Sequence, residues 1–112
     1  MTKITINSNG IEAEGHAGYA QVGYDIVCAG ISALFNAFVD ASVGDITFAA
    51  SDGYMRVEII NKTPEVMAKY EMLVAGLKLI EDEYPEFVRI VDQAFKSIKG
   101  TVQSSIETLT HE

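Results

Sequence analysis

The sequence predicts an α+β fold of order ββαββα, with a mostly antiparallel four-stranded sheet, helices packed on one side and a C-terminal helical extension. Three observations predict it. Two pairs of short alternating segments are each closed by a two-residue turn, Asn9-Gly10 and Asp52-Gly53. A long, nearly uninterrupted apolar segment lies between the pairs. A second, amphipathic segment follows them.

Each element has its own signal. Lys3 to Asn7 alternates, with Ile4 and Ile6 on one face, and Ile11 and Ala13 alternate with Glu12 and Glu14 on the return strand. A first helix is predicted from Tyr24 to Asp40, with Asp25 as its N-cap. It is apolar nearly all round, through Ile26, Val27, Ile31, Leu34, Phe35, Phe38 and Val39. Such a helix needs cover on more than one side, from the second helix or from a partner subunit, and a homodimer is expected. Ile46, Phe48 and Ala50 then share a face, and Met55, Val57 and Ile59 alternate with Arg56 and Glu58. Thr63-Pro64-Glu65 opens the second helix with a cap, a first-turn proline and an acid. Val66, Tyr70, Leu73, Leu77, Ile80 and Tyr84 form its apolar stripe, while Glu71, Lys78, Glu81 and Glu83 are expected to face water. Pro85 ends the pattern. Phe87, Val91, Ala94, Phe95 and Ile98 predict a third, short helix ending near Gly100. Residues 1–100 read as one domain and 101–112 as a polar, loosely held tail.

Composition narrows the function. A chain of 112 residues with 48% hydrophobic residues supports one small core. The longest apolar stretch, Ile26 to Val39, is too short to span a membrane, and no signal-peptide pattern opens the chain. A single cysteine forms no internal disulfide and fits a reducing, cytoplasmic setting. The net charge is −8, and no lysine or arginine occurs from Ile4 to Met55, where Glu12, Glu14, Asp25, Asp40, Asp45 and Asp52 lie. Nucleic acid and anionic membranes are therefore poor partners, and a cationic ligand is favoured. One cysteine and two histidines do not make a structural zinc site, so no metal or other cofactor is expected.

The chemistry concentrates between Gly15 and Leu34. His16 ends the first strand pair, a glycine-punctuated loop follows, and Cys28 falls in the first turn of the apolar helix. Backbone N–H groups and the positive end of the helix dipole stabilise a thiolate there. His16 is the local candidate to activate it. Asp25 and Ser32 lie three residues before and four after Cys28, on its helical face. Asp25 is positioned to orient the histidine, and Ser32 to hydrogen-bond within the site. Gly18 and Gly23 make the Ala17–Gly23 loop a candidate for movement, which would leave His16 and Cys28 apart until substrate binds.

Each residue also has a plainer explanation. A lone cysteine on an apolar helix is commonly a small core residue. A histidine beside glycine is commonly a loop residue, Asp25 is sufficiently explained as a cap, and Ser32 as a small residue between helices. The glycine loop is not a phosphate loop, because it lacks the GxxxxGK[ST] spacing and a nearby cation. His111 lies in the polar tail and is expected to be solvated.

The order Gly15-His16-Ala17, glycine loop, Gly23-Tyr24-Asp25-Ile26-Val27-Cys28-Ala29, then Ile31-Ser32-Ala33-Leu34, resembles the ribosomal-processing cysteine protease family, Prp. The likeness covers roughly residues 1 to 90 and includes both hairpins and the Tyr84-Pro85 step. Gly30 departs from it, standing where a second alanine is usual, and the chain continues further past Tyr84-Pro85 than is usual. The resemblance implies a small cytoplasmic endopeptidase, usually homodimeric. His16 and Cys28 would be its catalytic pair, and Gly15, Asp25 and Ser32 its other recurring positions. The implied substrate is a large-subunit ribosomal protein precursor with a cleavable N-terminal extension, cut after a short hydrophobic motif. Three alternatives stand beside this. They are a prophage relative that processes capsid or scaffold proteins, a thiol enzyme with another acyl substrate, and a non-catalytic α+β binding module with a buried cysteine.

Overall fold

The computed structural model describes residues 1–21 and 23–94. Their order is β1 (Thr2–Ile6), β2 (Gly10–Glu14), α1 (Ile26–Ala41), β3 (Ile46–Ser51), β4 (Tyr54–Ile59), α2 (Pro64–Glu83) and β5 (Val88–Asp92). The architecture is α+β, ββαββαβ, with a five-stranded mixed sheet of order β3-β4-β2-β1-β5. Both predicted hairpins form, and they join through antiparallel pairing of β2 with β4, Glu14 opposite Tyr54.

The fifth strand corrects the sequence reading. Val88 to Asp92 forms no helix; it pairs in parallel with β1, Thr2 opposite Val88 and Ile6 opposite Asp92. The physical reason is tertiary. β1 has an open edge, and the alternation of Val88 and Ile90 puts both toward the core once that edge is available. The rest of the expected third helix, with Phe95 and Ile98, and the 101–112 tail lie outside the described residues.

One core holds the layers together. Ile4, Ile11 and Val57 from the sheet meet Val27, Ile31 and Phe35 of α1 and Leu77 of α2, all essentially solvent-free. Both helices thus share one face of the sheet. The cover that α1 needs comes from within the chain, because Ile31, Phe35 and Phe38 are buried and Leu34 and Val39 half-buried. That removes α1 as the reason for a homodimer. Two glycines bring the helices close. A Cβ at Gly30 would lie 3.3 Å from Ile80 Cδ1, and one at Gly76 would lie 3.0 Å from both Leu34 methyls. Gly30 therefore sits where α2 presses on α1. Glu81 does not simply face water; its carboxylate accepts the Ile90 N–H at 2.8 Å and ties α2 to β5.

β3 departs from expectation in a way that matters for the site. Ile46 is half-buried, but Phe48 and Ala50 are exposed. β3 is one of the two edge strands, and the helices cover the central strands instead. The inward side of β3 is left as the wall of an open cleft.

Candidate active site

The cleft runs between α1 and the β3–β4 hairpin and has a volume of about 380 Å³. Ala13, Ile31 and Met55 give it an apolar floor, Phe48 and Ala50 a wall, and His16 and Cys28 stand at its end. A second hollow of about 270 Å³ lies under the glycine loop, and His16, Cys28 and Ser32 border it too. These three residues form the ridge between the two spaces. A larger groove of about 740 Å³, between the end of β1 and α2, has no cysteine or histidine in its lining.

Cys28 is set by the start of α1. Asp25 is the N-cap, as the sequence predicts, and its Oδ1 accepts the N–H of Val27 at 3.0 Å and of Cys28 at 2.9 Å. Cys28 is thus in the first turn, half-buried and not in a disulfide. The N–H that reaches its sulfur is not the helix's own. Ala17 N–H donates to Cys28 Sγ at 3.2 Å, from the start of the glycine loop. The donor geometry suits a thiolate, but it comes from the loop, because Asp25 has already taken the helix's first donors.

Asp25 has a second task that the sequence did not disclose. Its Oδ2 accepts the N–H of Tyr19 at 3.0 Å and of Ala20 at 3.4 Å. Both oxygens are therefore engaged by backbone N–H groups, and among the described residues no hydrogen bond joins Asp25 to His16. Burial alone would push its carboxyl up, but hydrogen bonds from Cys28, Ala20 and Tyr19 win and hold it below the usual 3.8. The loop has a further anchor. The Tyr19 ring stands edge-on to Tyr84 and to Phe87, with centroids 5.5 Å apart in each case. Gly18 and Gly23 adopt φ of 79° and 95°, which gives the loop its tight path.

His16 is set by the sheet. Gly15 has φ 89°, and a Cβ there would lie 2.6 Å from Met1 O, so only glycine fits. Its carbonyl accepts from Thr2 Oγ1 at 3.0 Å and its N–H donates to Gly53 O at 2.8 Å. The imidazole, half exposed, rests on Gly53, and Asp52 Oδ1 lies 3.6 Å from His16 Nε2. Asp52 and Gly53 were legible only as turn residues. Their contact with His16 depends on β2 pairing with β4, which no local pattern specifies. His16 and Cys28 border the same spaces but make no hydrogen bond to each other among the described residues. Ser32 faces the cleft one turn beyond Cys28, and its hydroxyl bonds to none of the described residues.

Tyr54 closes the cleft beside the hairpin. Its hydroxyl donates to Glu12 Oε2 at 2.9 Å, and that bond holds the phenol's proton above its usual range. Among the described residues no group of three or more His, Cys, Asp or Glu converges as a metal cluster would, and no helix is long and apolar enough to cross a membrane.

Known proteins resemble this chain in sequence and fold. The family model for cysteine protease Prp matches residues 1–89. The ribosomal processing cysteine protease Prp of Mycoplasma genitalium is 31% identical over 99 residues, covering 86% of this chain and all of that protein. Its namesake from Staphylococcus aureus is 31% identical over 98 residues, 78% of this chain and 92% of the relative. The crystal structure of an essential ribosomal processing protease Prp from S. aureus, in complex with a covalently linked product peptide, superposes with a TM-score of 0.74. It is 27% identical and covers 82% of this chain and 97% of that one. The same protease with a substrate peptide gives 0.69 at 26% identity, with the same coverage. A thiol at a helix start and an imidazole at the same end of one cleft thus stand on the fold of a known group of proteases, and the chain belongs to the Prp family of cysteine proteases.

Proposed function

We propose that this protease removes the N-terminal extension of a large-subunit ribosomal protein, with Cys28 as nucleophile and His16 as its acid and base. The observation that carries the reading is the shared cleft: Cys28 in the first turn of α1, its sulfur met by a backbone N–H, and His16 on the same rim. His16 takes the thiol proton, and Sγ bonds to the scissile carbonyl carbon. The proton passes to the leaving amine as the C–N bond breaks, which leaves a thioester. Water, deprotonated by His16, then releases the acid and restores the thiol. The apolar floor of Ala13, Ile31 and Met55 suits hydrophobic side chains before the cut. The stretch without basic residues suits a basic ribosomal substrate and disfavours nucleic acid itself.

Incubation with the ribosomal precursor, with products mapped by mass spectrometry, tests this. The wild type should cut once, after the hydrophobic motif, and Cys28→Ala should not cut while melting as the wild type does. Cleavage by Cys28→Ala, or by the wild type only of an unrelated capsid precursor, would sink the reading.

A homodimer is part of the proposal, on a different surface from the one the sequence suggests. Ala68, Met72, Ala75 and Leu79 line the outer face of α2, opposite its core stripe, and all are exposed. Their four-three-four spacing suits pairing with a second copy. Light scattering should give a dimer mass, and Met72→Glu with Leu79→Glu a monomer. A wild-type monomer at micromolar concentration would refute it.

A further inference from the structure

His16 is approached by a segment far from it in sequence. Pairing of Glu14 with Tyr54 lays the β3–β4 turn beside the residues that follow β2. The Gly15 N–H to Gly53 O bond, 2.8 Å, fixes the turn there. Gly53, with no side chain, lets the Nε2 edge of the ring come close. A Cβ at Gly53 would lie 3.2 Å from His16 Nε2, 3.5 Å from Cδ2 and 3.7 Å from Cε1. Asp52 Oδ1 lies 3.6 Å from the same Nε2. The Nε2 edge is thus turned toward the hairpin, and Nδ1 is the nitrogen left for other work. Asp25, the carboxylate nearest in sequence to Cys28, has both oxygens filled by backbone N–H groups.

A neutral imidazole has one N–H and one lone pair. To take a proton at Nδ1 it must carry its own at Nε2. A carboxylate at Nε2 selects that tautomer and holds the ring's orientation, the part the third group plays in other thiol and serine hydrolases.

We propose that Asp52 is a positioning residue for His16. It accepts the Nε2–H and keeps Nδ1 open to the Cys28 proton. The separation of 3.6 Å is longer than a hydrogen bond, and Asp52 is 96% exposed, so rotation of its side chain closes the gap. Exposure to solvent also keeps the effect modest. The inference rests on the Cys28–His16 reading above.

The test compares wild type, Asp52→Ala, Asp52→Asn and Asp52→Glu in two measurements. The first is kcat and KM for a peptide carrying the precursor's cleavage site. The second is the nitrogen-15 spectrum of His16 at alkaline pH, assigned by its loss in His16→Ala, which reports which ring nitrogen bears the proton. Asp52→Ala should lower kcat about 2- to 5-fold, the range an exposed pair supports, with KM unchanged. Its His16 signals should move from the Nε2–H form toward a mixture. Asp52→Asn keeps an acceptor and the turn preference and should lie between, and Asp52→Glu should restore both readouts. Unchanged kcat and tautomer in Asp52→Ala would overturn the proposal. So would a loss of kcat with the tautomer unmoved, because that would be a turn effect. Cys28→Ala and His16→Ala separate the two levels. If they still cleave, the Cys28–His16 reading fails. If they do not and Asp52→Ala behaves as wild type, only the role of Asp52 fails.

Discussion

Cys28 is positioned by its neighbours in sequence, whereas His16 is positioned by a hairpin turn far along the chain. On the cysteine side, Asp25 caps α1 through the N–H groups of Val27 and Cys28 and holds the loop through those of Tyr19 and Ala20. On the histidine side, the support is Gly53 against the Nε2 edge of the ring, Asp52 beside it, and a bond from Gly15 to Gly53. The local half assembles as soon as a helix starts. The other half exists only once β2 has paired with β4. Damage to the first should act through stability and the loop, and damage to the second through alignment of the imidazole.

The largest effect tests whether the two halves work together at all. His16→Ala should lower kcat/KM about 10²- to 10⁴-fold, the usual loss when an acid–base group goes. Because the ring is half exposed, the melting temperature should stay near that of the wild type. A rate within a few fold of wild type would leave only the cysteine half in use.

Gly53→Ala should strike the histidine side next. The residue adopts φ 69°, and its new Cβ would meet the ring at 3.2 Å. The left-handed strain costs about 1–2 kcal/mol, and displacement of the ring should cut kcat about tenfold or more, since misplacement of about 1 Å can cost 10²-fold. Peptide assays beside a thermal melt separate the two. A melt shift with unaltered kcat would show that the ring does not depend on its seat.

Asp25→Ala should act mainly on stability. Loss of the cap costs about 0.5–2 kcal/mol, read by urea unfolding, and the loop loses its anchor as well. The sign with pH follows from the lowered carboxyl. Its contribution is fully present above 3.8, the unfolded value, and disappears as pH falls through the lower folded value. The gap between wild type and Asp25→Ala should therefore close in acid. A gap that persists there would mean that the charge on Asp25 is not what holds the turn.

Tyr19→Ala should give the smallest effect. Edge-on ring pairs contribute about 0.5–1.5 kcal/mol each, and this one is partly exposed, so stability should change little. The freed loop should lift Ala17 from the sulfur, and alkylation of Cys28 by iodoacetamide should change severalfold. An unchanged alkylation rate would show that the loop is held by Asp25 alone.

The same contrast explains what could be read from the sequence. Asp52-Gly53, Asp25 and Thr63-Pro64 are local signals, and each produced its turn or helix start where expected. The first hairpin also formed, but its turn is Ser8-Asn9, one residue earlier than Asn9-Gly10, because Gly10 pairs in β2 with Glu58 and Asn7 N–H donates to Gly10 O. The apolar stripe of α2 was equally plain, with Val66, Leu73 and Leu77 buried. What failed was non-local. Phe87, Val91 and Ala94 have helical spacing while Val88 and Ile90 alternate, and only the open edge of β1 decides between them. The exposure of Phe48 and Ala50 depends on where α1 crosses the sheet. At the candidate site, the positions of Cys28 and Asp25 were legible. The carboxylate beside His16 was not, because Asp52 reaches it through a strand pairing.

The pairing of β1 with β5 bears on how the chain folds. It joins Thr2 to Val88 and passes the Thr2 N–H to Phe87 O, so the first strand synthesised pairs with the last one described. Contacts of that span close slowly, because the loop entropy must be overcome before the pairing stabilises anything. Every residue of the candidate site lies before α2, yet the sheet beneath it has a bare edge until Asp92 is made. A nascent chain therefore carries Cys28 and His16 before it has a finished scaffold.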